Sequence, residues 1–233
     1  MTIKADLVIL AGGYATRLGQ QTKEIPKIML EFGNKTFLEH QLELYDGIFN
    51  KIIFALGHLS QPVISHLNSI KTNSKVTYVI DPFDGCGTGA ALGNAIQESE
   101  ADHIAVTYGD SYLLFDPRNT INSFIENKYE AAMVITRSTG IDKNNVEIKD
   151  GFVTRYEKNS DDGRLQYLDY GLSYFTVSDI KLCDFTGAYD LSCYHKYYIN
   201  KSRLRCYLST DRYYEIGSKS GQSNFKKFLK DQK

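Results

Sequence analysis

The chain has 233 residues, 42% of them hydrophobic and 24% charged, which suits one soluble globular domain and excludes a low-complexity protein. Lysine plus arginine total 27 against 28 aspartate plus glutamate, so the net charge of -1 offers no general attraction to nucleic acid or an anionic membrane. Any anionic ligand must be met by local cations.

Leu7-Val8-Ile9-Leu10 is a short apolar run ending in Gly12-Gly13, the pattern of a buried parallel strand followed by a glycine loop. Similar runs at Lys51 to Leu56, Val76 to Ile80, His103 to Thr107 and Ala131 to Ile135 read as strands. Between them, Phe37 to Tyr45, Gln61 to Leu67, Gly89 to Glu98 and Asn119 to Asn127 have helical length and periodicity. Strand alternating with helix predicts an α/β fold with a mostly parallel sheet covered on both faces. The pattern then changes. Val146 to Tyr156 is two alternating strands around Asp150-Gly151, a strong hairpin signal, and a more antiparallel region follows. There Tyr170 to Val177 and Leu204 to Leu208 read as strands, and Leu191 to Ile199 and Gly221 to Leu229 as helices. No apolar stretch approaches the ~20 residues that span a bilayer, and the start of the chain runs into a strand instead of a signal sequence. A cytoplasmic location without membrane contact is therefore expected.

Cys86, Cys183, Cys193 and Cys206 lack zinc-site spacing and disulfide density, and read as reduced thiols. The five histidines form no metal-like spacing and read as structural or surface residues.

Ligands of open α/β sheets bind beyond the carboxyl ends of the strands. The first such loop, Ala11-Gly12-Gly13-Tyr14-Ala15-Thr16-Arg17-Leu18-Gly19, combines glycines, a hydroxyl and an arginine, a sensible cradle for a polyphosphate. It fits neither G-x-G-x-x-G nor the P-loop. Pro26-Lys27 follows, a stiffened turn carrying a point charge. Asp110, just beyond the His103 to Thr107 strand, is placed for a hard divalent cation. Asp81, Asp84 and Cys86 lie ahead of Gly87 on a further loop after a strand, and the sequence leaves open which of them meets a ligand.

Leu10 to Leu18 with Pro26-Lys27-Ile28-Met29-Leu30 resembles the signature of the sugar-phosphate nucleotidylyltransferases, G-G-x-G-T-R-L then P-K-x-[ML]. Further landmarks follow in family order: Gly87-Thr88-Gly89-Ala90-Ala91-Leu92, Gly109-Asp110, Glu157-Lys158, Asp169-Tyr170-Gly171-Leu172 and Tyr214-Glu215-Ile216-Gly217-Ser218. The resemblance implies a Rossmann-like, GT-A-like nucleotidyltransferase fold in one domain, with residues 1–136 as nucleotide-binding half and 137–233 as acceptor-binding half plus closing helix. It implies an NTP and a sugar 1-phosphate giving NDP-sugar and pyrophosphate, with Mg²⁺, or alternatively Mn²⁺, as cofactor. Arg17 would grip the β- and γ-phosphates, and Lys27 would stabilise the α-phosphoryl group in transfer. Leu10, Ala11, Gly12, Gly13, Thr16, Gly87 and Thr88 would hold the nucleotide. Asp110 and Glu215 would hold the metal, Lys158 the acceptor phosphate, Glu157 the sugar hydroxyls, and Tyr170 and Gly171 would wall the sugar pocket.

Three departures stand out: Ala15 replaces a glycine, Gly19-Gln20-Gln21-Thr22 lacks P-L-T, and Asp169 replaces asparagine. With the short length, they place the chain nearer the small enzymes activating heptose 1-phosphate and related capsule or lipopolysaccharide precursors, with GTP or CTP as donor and homo-oligomerisation left open. A cytidylyltransferase for a non-sugar phosphate, such as a phosphocholine-like or phosphoamino compound, and a catalytically silent nucleotide-sensing subunit are the alternatives.

Overall fold

Strand alternation divides the first apolar run between two cores, with Leu7 and Ile9 in one and Val8 and Leu10 in the other. A run buried on both faces must lie inside a sheet covered on both sides, and the computed structural model places β1 (Asp6–Leu10) there. The structure describes residues 3–14, 18–19, 22, 24–138, 143–158, 160 and 162–232.

β1 pairs in parallel with β4 (Lys51–Leu56) and β6 (His103–Tyr108), after the short ribbon β2 (Glu31–Phe32) and β3 (Lys35–Thr36), and β4 pairs in parallel with β5 (Lys75–Ile80). Helix α1 (Phe37–Tyr45) starts with a reciprocal capping box between Thr36 and Glu39. α2 (Ser60–Leu67) and α3 (Gly87–Ala95) complete the crossovers. Beyond β7 (Ser111–Leu113) and α4 (Arg118–Glu126) comes β8 (Ala131–Thr136), which is buried throughout. β9 (Val146–Lys149) and β10 (Phe152–Tyr156) form the expected hairpin, and both turn residues, Asp150 and Gly151, have positive φ.

β11 (Leu168–Thr176) inserts antiparallel between β6 and β8. After α5 (Val177–Ile180) and α6 (Ser192–Asn200), β12 (Leu204–Leu208) pairs in parallel with β8. The nine-stranded order is thus β5-β4-β1-β6-β11-β8-β12-β10-β9, so strands from both halves of the chain share one sheet. The remaining ribbon joins β7 to β13 (Tyr213–Glu215) ahead of α7 (Lys219–Asp231). One face is covered by α1, α2, α4 and α7, whose Phe37, Val63, Phe124 and Phe225 join Leu7 and Ile9. The other is covered by α3, α5 and α6 through Leu92, Ile180 and Tyr198. Among the described residues, no helix is long and apolar enough to cross a membrane.

Candidate active site

β1, β4 and β6 are in register, with Leu10 opposite both Ala55 and Tyr108, so the loops leaving their carboxyl ends emerge side by side. Those loops, with the one after β5, enclose a cavity of about 480 Å³. Leu10, Ala11, Gly12, Gly13, Gly87 and Thr88 all line it, as do Lys27 and Asp110. Thr16 and Arg17, expected in the same cradle, lie outside the described residues.

Lys27 opens a single 3-10 turn, Lys27–Met29, entered through Pro26 at φ -60. Ile28, only 2% exposed, anchors that turn in the core while Lys27 reaches outward. Its Nζ donates to Asp110 Oδ2 at 2.7 Å, so residues 83 positions apart meet at the cavity wall. Asp110 is placed by a brace that sequence reading missed. Buried Gln41 on α1 donates through Nε2 to the carbonyls of Tyr108 at 2.9 Å and Ser111 at 2.7 Å, fixing the turn that carries Asp110. Gln41, spaced four residues from both Phe37 and Tyr45 on the buried stripe of the helix, was the available signal.

Gly12 is needed for close approach: a Cβ there would stand 2.1 Å from Asp81 Oδ2. Asp81 thus lines the cavity against glycine backbone, and its Oδ1 has no hydrogen-bond partner. Burial pushes its carboxyl pKa up, while the Cys86 thiol beside it pulls the other way. Across the mouth, the Tyr14 ring packs on His58 at 5.1 Å, and a bond to Asp84 raises the Tyr14 pKa, with burial adding to it.

The loop after β5 is tied to the far half of the chain. Tyr189 donates its amide to Cys86 O and accepts from the Gly89 amide, both at 2.9 Å, so the Gly89 amide is already committed. Gly87, at φ +83, tolerates no side chain, because its Cβ would stand 2.4 Å from Tyr189 O. The Thr88 hydroxyl donates to Asp190 Oδ2 at 3.1 Å and accepts from the Leu191 amide at 2.9 Å. Asp190 also takes Lys158, with Nζ to Oδ1 at 2.9 Å, which brings the expected acceptor cation next to the nucleotide-side loop. Glu157 is not free as expected: Arg155 Nε donates to it at 2.7 Å, and that bond, against a smaller effect of burial, lowers its pKa.

Gly171 stands at φ +90 where the β11–β8 register shifts between Asp169 and Ser173. Its amide donates to Asp169 Oδ1 at 2.9 Å, and Tyr156 donates to Asp169 Oδ2 at 3.1 Å. Tyr170 differs from its expected place in the sugar-pocket wall. It points into the core on the same face of β11 as Leu172 and Tyr174, 2% exposed, with its ring against Phe115 and Tyr213 and its hydroxyl donating to Arg212 O at 2.9 Å. Tyr170→Phe should therefore cost about 1 kcal/mol of stability, from the carbonyl left unpaired. Acceptor KM should stay at the wild-type value; chemical denaturation and steady-state kinetics on one preparation check both.

Glu215 lies opposite Ser111 across the β13–β7 ribbon, with the Ile216 amide donating to Asp110 O at 3.0 Å. It accepts from Ser218 Oγ, and a Cβ on Gly221 would fall 1.9 Å from its Oε1, so the carboxylate faces the amino end of α7. It does not line the cavity with Asp110. Among the described residues, no group of three or more His, Cys, Asp or Glu side chains is arranged to hold a metal. His195 is buried, with Nε2 and Ser173 Oγ 2.9 Å apart, and burial lowers its pKa, the behaviour of a structural imidazole.

Residues 7–169 match the family of MobA-like NTP transferase domains. Among curated relatives, the D-glycero-alpha-D-manno-heptose 1-phosphate guanylyltransferase of Aneurinibacillus thermoaerophilus is 26% identical over 56% of this chain and 56% of its own. The probable glucose-1-phosphate cytidylyltransferase of Bacillus subtilis is 28% identical over 67% of this chain and 70% of its own. The chain spans about half the length of the first of these, and less of the bifunctional GlmU proteins of Methanococcus, where 28% of one relative is covered. In fold it resembles HddC from Yersinia pseudotuberculosis complexed with GMP-PN, with TM-score 0.80, 24% identity, and 97% of this chain and 99% of that chain covered. A UDP-glucose pyrophosphorylase complexed with UDP-glucose superposes with TM-score 0.82 at 15% identity, each chain covered in full at 100%.

Proposed function

Because the chain belongs to the family of MobA-like NTP transferase domains, we propose that it is a nucleotidyltransferase joining an NTP to a sugar 1-phosphate, releasing NDP-sugar and pyrophosphate. The observation that carries this reading is the Lys27–Asp110 pair at 2.7 Å on the wall of a cavity built from the glycine loop and the loop after β5. An acceptor phosphate oxygen attacks the α-phosphorus, a new P–O bond forms, and the bond from the α-phosphorus to the oxygen bridging to the β-phosphate breaks. Lys27 offers its charge to the α-phosphoryl oxygens as that exchange proceeds. Arg17 is assigned to the departing β- and γ-phosphates, and Lys158 to the acceptor phosphate.

Asp81, Asp84 and Asp110 all line the cavity, but among the described residues no three acidic, His or Cys side chains are grouped to hold a metal, which fits an ion shared with substrate phosphates and not a metal cage made by protein alone. Asp110 would hold Mg²⁺, or Mn²⁺, which supplies neutralisation of the triphosphate charge. The Lys27 ammonium holds Asp110 Oδ2, while Oδ1 has the Ser111 hydroxyl 3.5 Å away.

Asp81 favours GTP over CTP. An ionised carboxylate only accepts hydrogen bonds, and guanine presents N1–H and the 2-amino group side by side, whereas cytosine presents one amino group beside an acceptor nitrogen. The product would feed capsule or lipopolysaccharide assembly from the cytoplasm. A pyrophosphate-release screen crossing the common NTPs with sugar 1-phosphates and small phosphate esters, with Mg²⁺ present, tests the whole reading. Calorimetry should rank GTP tightest, and Asp81→Asn should weaken GTP about tenfold, the order expected for losing a charged acceptor. Preference for CTP, with turnover only of a non-sugar phosphate ester, would move the assignment to the cytidylyltransferase alternative.

A further inference from the structure

Lys158 and Thr88 belong to segments 70 residues apart in the sequence that were assigned to different substrates, yet one carboxylate holds both. Asp190 Oδ1 takes Lys158 Nζ and the Ser192 amide, each at 2.9 Å, and its Oδ2 takes the Thr88 hydroxyl at 3.1 Å. The Leu191 amide closes the ring onto Thr88 Oγ1 at 2.9 Å. The main chain beside it is equally fixed, since Tyr189 exchanges bonds with both Cys86 and Gly89. Asp190 therefore does not swing on a loose loop.

Stability alone is a poor account of this arrangement. The Lys158 and Asp190 side chains are 48% and 45% exposed, and ion pairs that open to water contribute about 0–1 kcal/mol. What the ring does provide is position. A lysine on the far side of a hairpin has four rotatable bonds, and a fixed carboxylate confines its ammonium to one place relative to the nucleotide-side loop. Lysine has three N–H donors, and one is enough for Asp190, so the others remain for a phosphate.

We propose that Asp190 is a positioning residue, which anchors Lys158 to Thr88 and so presets the cation that receives the acceptor phosphate against the nucleotide loop. This rests on the proposed role of Lys158. Sequence reading did not single out Asp190, since an aspartate just ahead of a predicted helix reads as an ordinary cap. Its Ser192 bond is of that kind, and its bonds to Lys158 and Thr88 are not.

The test is Asp190→Asn, compared with wild type, with Lys158→Ala and with the double variant. Acceptor KM for the sugar 1-phosphate turned over in the screen should rise about tenfold in Asp190→Asn. NTP KM and kcat should stay within about threefold, and the thermal midpoint should barely move. In the Lys158→Ala background the same substitution should leave acceptor KM unchanged, because the residue acts on the acceptor only through that lysine. Equal increases in both KM values, or full additivity with Lys158→Ala, would overturn the proposal and make Asp190 a purely structural support. A second readout needs no turnover. Acylation of Lys158 by an amine-directed reagent, followed by peptide mass spectrometry, should speed up several-fold in Asp190→Asn relative to Lys149. An unchanged rate would mean the ion pair does not hold Lys158 in solution and would overturn the placement. A wild type inert toward every substrate pair would instead remove the proposed function, with the acylation arm still deciding where Lys158 is held.

Discussion

Lys27→Ala should lower kcat by about 10²–10³, the cost typical of deleting one preorganised group that stabilises charge developing in the transition state. NTP KM should change by no more than about threefold, because a cation directed at the α-phosphoryl group acts mainly after the ground state. The fold should survive. The turn is held by Ile28 in the core and by the Met29 amide donating to Pro26 O at 2.8 Å, and neither contact uses the lysine side chain. Asp110 loses its partner, but its side chain is 26% exposed, so water can take the vacated place. Pre-steady-state quenching with saturating substrates separates the chemical step from product release. A kcat within tenfold of wild type would remove Lys27 from the chemistry and leave it as a counter-charge for Asp110.

The elements that the sequence reveals are those whose patterns are local. Lys51 to Leu56 and Leu204 to Leu208 recur in the structure with the same bounds, since a short apolar or alternating run has few alternatives. Asp150-Gly151 marks its hairpin because a two-residue turn needs positive φ at both positions. Strand order is less legible. Nothing in Leu168–Thr176 announces that it will lie between β6 and β8, a choice made by long-range pairing. The site follows the same division. Lys27 and Asp110 are visible as motif residues, whereas their contact depends on how Gln41 braces the β6–β7 turn. Tyr170 and Glu215 show a further limit of reading motifs alone. Each sits inside a recognisable motif, but strand alternation puts the Tyr170 ring in the core with Leu172 and Tyr174, and Ser218 at the start of α7 donates to the Glu215 carboxylate.

Asp110→Ala and Glu215→Gln should separate two acidic residues that the sequence alone treats as a pair. Asp110→Ala removes the carboxylate that lines the cavity and faces Lys27, so the polyphosphate charge goes uncompensated. Activity should fall by about 10³ or more, and millimolar Mg²⁺ or Mn²⁺ should not restore it. Glu215→Gln acts on the contact that its carboxylate makes with Ser218. Ser218 caps α7 by accepting from the Gly221 amide at 2.9 Å and passes its own proton toward Glu215, which also sets a negative charge at the positive end of the helix. Glutamine keeps an acceptor for Ser218 but loses the charge, a cost of about 0.3–1 kcal/mol. The thermal midpoint should fall by about 1–4 °C for a chain of this size, while kcat and the Mg²⁺ requirement stay within about threefold of wild type. Thermal unfolding and a Mg²⁺ titration of turnover, run on both variants, check these outcomes. If Glu215→Gln loses as much activity as Asp110→Ala and recovers it when Mg²⁺ is raised, then Glu215 leaves Ser218 in the working enzyme and serves as the second metal carboxylate.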